Sequence, residues 1–439
     1  MSKIWRPITM GNFQRLIINR FPVGNFFKNV ITLMSGTVLA QGLVIICTPL
    51  LTRIYTPEDF GILTIFMAVT SVLSVASCGR YELGIVLPEE DGAAANLLVL
   101  SIAITLLTTA LTILVIILIY WLPVSLIISI KKTCISWVWY IPVSLLVTGI
   151  YQALNYWATR KKKFGRLAVR QVTQSITMIL VQIAIGMLFI ADGEKLIIGY
   201  ITGQTAATVL MFMQTMKEDG NFVFKSYNYK IVKDVAYKYK KFPLYTVGAS
   251  LLNALSPQLP VFFLSAVSLS ATGYFGLATR IVGLPMSLIG SSVAQVFFAD
   301  ASEELNLRGN CTNIFRITVK RLFQIGVIFS VLVFGLSFFM DTIFGSQWGG
   351  AGAVLVMLIP MFFIRFLSSP VSTIYYIKQR QDWDLYITLI FAIVPVIAFM
   401  LSDLQGWTYI IAIIIYSALM GLSYGVQLIL GFKLAAEKS

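Results

Sequence analysis

The stretch LTRIYTPEDFG, Leu51 to Gly61, separates two long apolar runs with one arginine, one proline and two acidic residues. The runs, about residues 30 to 52 and 60 to 79, are close to the 20 or so residues that a helix needs to cross a bilayer core of about 30 Å. Pro57 suits the first turn of a helix, where the dipole also favours the two acids that follow. We therefore predict a tight turn between two membrane-spanning helices. Arg53 is either an anchor at the membrane surface or a contact for an anion.

The whole chain has the composition of an integral membrane protein. Of its 439 residues, 58% are hydrophobic and 12% are charged, and the mean hydropathy is +0.84. Soluble domains carry about 25% charged residues. We predict an all-α protein with twelve transmembrane helices, at about residues 30–52, 60–79, 93–120, 136–158, 166–190, 194–216, 242–266, 273–299, 317–340, 350–377, 384–402 and 407–432.

The distribution of basic residues predicts the orientation. Twelve spans place both termini on one side, so alternate loops can be compared for lysine and arginine, which favour the cytoplasmic side. Of the 33 Lys and Arg residues, 26 fall on the side of the termini, 4 on the opposite side and 3 inside the spans. We predict that both termini are cytoplasmic. The same loops account for the net charge of +14, so no nucleic-acid partner is needed to explain it.

Charge also predicts the division of the chain. Residues 1–29 carry five basic residues and no acid, as expected of a cytoplasmic segment that lies on an anionic membrane face. Residues 217–241 form the longest basic loop and divide the spans into two sets of six. We predict an N-lobe at 30–216, a basic cytoplasmic linker at 217–241, and a C-lobe with a short cytoplasmic tail at 242–439.

Several kinds of catalytic chemistry are absent from the sequence. The chain has no histidine, which excludes Ser-His-Asp and Cys-His catalysis and histidine-bound metals. Its four cysteines are scattered, and no phosphate-binding glycine loop of the nucleotide-hydrolysing type is present. We therefore predict a protein that is not an enzyme and has neither a metal nor a cofactor.

Two arginines are the main candidates for a binding site. Arg280 and Arg365 fall within predicted spans, where an arginine costs about 2.5–3.5 kcal/mol unless it faces water or a partner. Arg53 and Arg80 lie nearer the membrane surfaces and are weaker candidates, and Arg80 could instead pair with Glu82. Intramembrane carboxylates are nearly absent, and the guanidinium group suits phosphate. The pattern predicts an interior with more positive than negative charge, which suits an anionic cargo.

The seventh predicted span contains a polar, proline-rich interruption, NALSPQLP, Asn253 to Pro260. In membrane helices such interruptions occur where the helix bends or lines a cavity. Asn253 and Gln258 are candidates for cavity lining, with helix-to-helix hydrogen bonding as the alternative. Pro257 and Pro260 are candidates for a hinge.

Two quoted stretches carry a family resemblance. PLLTRIYTPEDFGILTIF, 49 to 66, and RYELGIVLPEEDGAAANLL, 80 to 98, resemble the start of Wzx-type O-antigen and polysaccharide flippases of the multidrug/oligosaccharidyl-lipid/polysaccharide (MOP) exporter superfamily. The resemblance implies two six-helix lobes around a cationic cavity in the bacterial inner membrane. It also implies alternating access that moves undecaprenyl-pyrophosphate-linked O-antigen or capsule repeat units to the periplasmic leaflet, for lipopolysaccharide or other polysaccharide biosynthesis.

The resemblance leaves some questions open. Membrane lipids, a polysaccharide polymerase and a chain-length regulator are expected partners, and the coupling ion could be a proton or sodium. A lipid II flippase would share the architecture and differ in cargo. A drug/cation antiporter would require buried acids, which are nearly absent from the predicted spans. A glycan polymerase or ligase would be expected to carry a large periplasmic loop, and the predicted loops on that side are short.

Overall fold

A computed structural model describes residues 25–121 and 136–437. Over these residues the protein is all-helical, and twelve helices are long and apolar enough to cross a membrane. The predicted fold class, a multi-pass membrane protein with twelve transmembrane helices, is therefore confirmed. The predicted basic surface segment, 1–29, lies almost entirely outside the described residues.

The first half of the chain contains six long helices and ends in a short linker helix. A 3₁₀ turn, Tyr81–Val86, precedes the third long helix. The bounds are α1 Asn25–Ile54, α2 Pro57–Ser74, α3 Asp91–Trp121, α4 Tyr140–Arg160, α5 Phe164–Leu188, α6 Gly193–Ser226 and the linker helix α7 Tyr229–Lys238.

The second half supplies the other six spans. Its first span is broken into a π-helical turn, Phe242–Thr246, then α8 Val247–Leu255, a 3₁₀ turn Ser256–Gln258, and α9 Leu259–Val267. The remaining helices are α10 Leu269–Arg308, α11 Thr312–Ser337, the short α12 Met340–Phe344, α13 Gly349–Ser368, the short α14 Ile374–Ile377, α15 Gln381–Leu404 and α16 Tyr409–Ala436.

The turn before α2 forms as the sequence predicts. Thr56 caps the helix by accepting a hydrogen bond from the Asp59 backbone N–H, and the Asp59 carboxylate accepts one from the Thr56 N–H at 2.9 Å. This reciprocal pair satisfies two donors that a helix start leaves unpaired. Pro57 occupies the first turn, where its missing N–H costs nothing.

Several predicted helix ends are wrong, and the sixth span continues to Ser226 instead of residue 216. The second span ends at Ser74 instead of residue 79, because the chain turns there, and Gly79 and Arg80 both take positive φ angles, 60° and 62°. The eighth span continues to Arg308 instead of residue 299, because the polar residues after 299 extend the helix beyond the apolar part. It ends at Gly309, whose φ of 72° suits a helix C-cap.

The helices form two packed sets that meet along one main contact. In the first set α5 packs on α1 and α6, and in the second α13 packs on α16 and α11. Between the sets, the most extensive contact joins α2 to α10. We call the end of the bundle where α16 finishes the termini face. The opposite end, where α1 finishes and α10 begins, is the far face.

Candidate functional site: a central cavity with two arginines

A cavity of about 660 Å³ lies between the two helix sets. The first half contributes α2 and Tyr200 of α6. The second half contributes most of the wall, from its broken first span and from α10, α13, α15 and α16. Polar and charged side chains that line the cavity are Thr64, Ser71, Tyr200, Asn253, Ser256, Gln258, Thr279, Arg280, Arg365, Thr388, Tyr416 and Tyr424.

Arg280 reaches the cavity from α10. It is eleven residues from the helix start at Leu269, which places it about 16 Å from the far face at 1.5 Å per residue. Its Nη2 makes a weak contact with the Met67 Sδ at 3.9 Å. No described carboxylate forms a salt bridge with it. The guanidinium group is therefore available to a ligand.

Arg365 reaches the same cavity from α13. Its guanidinium carbon lies 5.9 Å from the centre of the Tyr424 ring, a distance at which a cation is attracted to the ring face. The side chain is exposed, although the residue lies within a transmembrane helix. Among the described residues that line the cavity, none is acidic. Two positive charges with no opposing carboxylate give the cavity a positive potential.

The polar interruption of the seventh span also reaches the cavity. Asn253, Pro257 and Gln258 all line it. The chain follows a 3₁₀ turn at Ser256–Gln258, and the Ser256 hydroxyl donates to the Phe391 carbonyl at 2.9 Å. Pro260 is buried in the first turn of α9 and does not line the cavity, because the helix has already turned that position away.

Tyr200 is a cavity residue that the sequence did not indicate. Its hydroxyl accepts a hydrogen bond from the Gln204 Nε2 at 2.9 Å, and the Ser144 hydroxyl donates to the Gln204 Oε1 at 3.2 Å. Tyr200 and Arg280 line the same cavity. Tyr200 is one of the polar residues, with Thr64 and Ser71 of α2, that the N-terminal half contributes to the cavity. A tyrosine deep in an apolar span was the available signal.

Arg53 does not line the cavity. It lies in the last turn of α1 at the far face, and its Nη2 donates to the Thr342 carbonyl at 3.4 Å. The two residues belong to opposite halves of the chain. Arg53 therefore takes part in a contact between the helix sets.

Arg80 also lies away from the cavity, before the 3₁₀ turn that follows α2. Its Nη1 is 3.6 Å from the Glu82 Oε1, so the local ion pair considered from the sequence is present. The Glu82 side chain is almost completely buried, and neither carboxylate oxygen accepts a hydrogen bond from a described residue. Burial raises the pKa of Glu82, and Arg80 offsets only part of that effect.

This raised pKa predicts a pH-dependent stability. The folded protein holds the Glu82 proton more tightly than the unfolded chain, so Glu82 stabilises the fold fully below its ordinary pKa of 4.5. That contribution is lost as the pH rises to the raised value. We expect the Glu82→Gln variant, which is neutral throughout, to lose this part of the pH dependence. Thermal unfolding of both proteins between pH 4.5 and 8 measures it. If the stability of the two proteins changes with pH in the same way, the pH dependence does not come from Glu82.

The far face is closed by contacts between the two halves. The Trp348 indole N–H donates to the Thr52 carbonyl at 2.9 Å, and the Gln347 Nε2 donates to the same carbonyl at 2.8 Å. The Ser270 hydroxyl donates to the Glu58 carboxylate. These bonds cap the carbonyls at the end of α1 and fasten the start of α2 to α10.

Two glycines bring α2 and α10 together below these contacts. A Cβ atom at Gly273 would overlap the backbone carbonyl of Pro57, and one at Gly61 would overlap that of Leu269. Only glycine leaves room for backbones at this separation. We call these glycines, with the contacts of Trp348 and Gln347, the far-face seal.

Comparison with known proteins identifies the fold. The chain is similar to an inward-facing multidrug resistance MATE family transporter of the MOP superfamily, with 17% identity, a TM-score of 0.63 and 92% and 95% coverage of the two chains. It is also similar to the lipid II flippase MurJ in an inward closed conformation, with 15% identity, a TM-score of 0.65 and 92% and 87% coverage. An outward-facing MATE transporter gives 15% identity, a TM-score of 0.57 and 93% and 95% coverage.

Sequence comparison identifies the family. No curated protein matches the chain. The model of the polysaccharide biosynthesis protein family matches residues 50–353, which is more than half of the chain. The resemblance drawn from the first loop is thus confirmed at the level of the family, and the fold is similar to that of the solved MOP-superfamily transporter. The chain belongs to the polysaccharide biosynthesis protein family and has the transporter fold of the MOP superfamily.

Proposed function

We propose that the protein is a flippase for lipid-linked oligosaccharides. Its cargo would be undecaprenyl-pyrophosphate-linked O-antigen or capsule repeat units, moved from the cytoplasmic to the periplasmic leaflet of the bacterial inner membrane. The observation that carries the proposal is the pair Arg280 and Arg365, which face one cavity with no acidic residue among its described lining. Arginine forms two parallel hydrogen bonds with a phosphate, so the pair suits a pyrophosphate.

The state of the far face supports this direction of transport. Contacts such as Trp348 with Thr52 close the cavity on that side. The charge distribution predicts that the termini face is cytoplasmic, so the closed side would be periplasmic. A cavity closed to the periplasm is ready to load a cargo made in the cytoplasm. Release would then require the two helix sets to separate at the far face.

The cavity chemistry separates the proposal from one of its two alternatives. A drug/cation antiporter would need an acidic residue near its cargo, and Arg280 and Arg365 would repel a cation. A lipid II flippase would bind the same pyrophosphate, so these arginines do not distinguish it. The lining residues Asn253, Gln258, Tyr200 and Tyr416 supply hydrogen-bonding groups for a glycan.

Export of an anion uses the membrane potential. Each negative charge that moves outward across an inside-negative membrane gains about 2.3 kcal/mol per 100 mV. An antiported proton or sodium ion would add to this. The lining shows no described carboxylate to carry such an ion, so we assign the potential as the main driving force.

Complementation tests the function and the cargo together. The gene is expressed in strains that lack either their O-antigen flippase or their lipid II flippase, with immunoblots to confirm equal membrane levels. We expect surface polysaccharide to return in the first strain and no rescue of growth in the second. Rescue of only the second strain would identify lipid II as the cargo and contradict the proposal.

A further inference from the structure

A second chamber lies beside the central cavity, between α10 and α13. Its volume is about 310 Å³, and it shares three lining residues with the central cavity, Gly283, Phe362 and Arg365. We call it the side chamber, and we call the position of these three residues the neck. Arg365 lines both spaces, so its charge is available to a ligand in either.

The side chamber lies at a different depth from the central cavity. Ser287 and Ser291 of α10 are about 27 Å and 33 Å from the far-face end of that helix, at 1.5 Å per residue. The hydrocarbon core of a bilayer is about 30 Å thick. These serines therefore lie where the core meets the lipid headgroups of the termini face. Arg280, at about 16 Å, lies near the middle of the membrane.

The lining of the side chamber suits a phosphate. It contains Arg365 and the serines Ser287, Ser291 and Ser369, and no acidic residue among those described. The Ser291 hydroxyl donates to its own helix at Leu288, a bond that a rotating hydroxyl can exchange for a ligand. The chamber thus combines one cation with several neutral donors at headgroup depth.

We propose that the side chamber is the docking site for the diphosphate of the lipid-linked cargo, with the glycan extending through the neck into the central cavity. The inference rests on the proposed function and assigns the diphosphate and the glycan to two separate chambers. A diphosphate at headgroup depth leaves the polyprenyl chain in the surrounding lipid. Arg365 then holds the diphosphate when it docks, and Arg280 is the next cation along its path.

Two variants separate the chambers. In Ser291→Leu, a larger apolar side chain enters the side chamber and removes one hydroxyl. In Gly283→Leu, the new side chain enters the neck, and its Cβ meets no atom within 4 Å. Gly335→Leu on α11 is the matched control, because its Cβ also meets nothing within 4 Å and the residue lines neither chamber.

Binding is measured in nanodiscs with two fluorescent probes, undecaprenyl diphosphate without sugar and the same lipid carrying an oligosaccharide. We expect Ser291→Leu to weaken both probes by tenfold or more. We expect Gly283→Leu, at the junction of the two chambers, to weaken the glycosylated lipid at least tenfold more than the sugar-free lipid. Gly335→Leu should match the wild type.

Competition distinguishes the source of the phosphate. Inorganic pyrophosphate should displace the sugar-free probe from the wild type, whereas excess phosphatidylglycerol should not. Displacement by phosphatidylglycerol would show a general headgroup site and overturn the inference. Normal binding of both probes by Ser291→Leu would also overturn it while leaving the proposed function intact. A wild-type protein that binds neither probe would overturn both.

Discussion

Replacing either Arg280 or Arg365 by glutamine is expected to remove most transport activity. Both side chains face the central cavity, and neither forms a salt bridge with a described acid. A hydrogen bond to a charged group contributes about 1.5–3 kcal/mol, and each 1.4 kcal/mol is a factor of ten in affinity. Each substitution should therefore weaken cargo binding by about 10- to 100-fold. Surface polysaccharide in a flippase-null strain measures the effect.

Lysine substitutions provide a second test of the two arginines. Lysine keeps the charge but loses the planar fork of donors, so Arg280→Lys and Arg365→Lys should recover only part of the activity. Arg316→Gln is the control, because Arg316 is exposed on α11 against the Phe432 ring and lies outside the cavity. Full complementation by both glutamine variants at wild-type membrane levels would refute the role of these arginines.

Replacing Gly273 by valine is expected to open the far-face seal. The new Cβ would overlap the Pro57 carbonyl, so α2 and α10 must move apart. Such overpacking costs about 1–3 kcal/mol, and the cost falls only on the conformation in which the far face is closed. The balance between closed and open forms should shift by roughly 10- to 100-fold towards the open form. Transport should fall as well, because loading requires the closed form.

A cysteine in the cavity reports this shift. Thr388→Cys places a thiol in the cavity lining, and a membrane-impermeant maleimide is applied to intact spheroplasts. We expect labelling about 10 to 100 times faster with Gly273→Val than without it. Gly42→Val is the matched control, since a Cβ at Gly42 meets no atom within 4 Å. Equal labelling rates in a folded Gly273→Val protein would mean that the seal does not control access.

The fold was largely predictable because each membrane-spanning helix appears in the sequence as a block of apolar residues. The predicted helix ends were wrong where something other than hydrophobicity determines the end of the helix. At 75–80 the chain leaves the helix while still partly apolar, and beyond residue 299 the helix continues into polar sequence. The hydropathy of these residues does not reveal either helix end, and the prediction rested on hydropathy.

The candidate site was predictable only where burial of charge is costly. Arg280 and Arg365 could be identified because an arginine deep in a span needs a reason to be there. Arg53 lies close to a helix end, where the sequence cannot distinguish a cargo contact from its bond to Thr342. Tyr200 was missed because a transmembrane helix is apolar on all sides, so its sequence does not mark the side that faces a cavity.

The most direct test of the central claim is transport by the purified protein. Proteoliposomes are loaded on one leaflet with undecaprenyl-pyrophosphate-linked oligosaccharide, and a membrane potential is imposed. Appearance of the glycan on the opposite leaflet is followed with an impermeant glycosidase. We expect potential-dependent translocation by the wild type and none above the protein-free rate by the Arg280→Gln/Arg365→Gln double variant. Equal translocation by the two proteins, or none by a folded wild type, would contradict it.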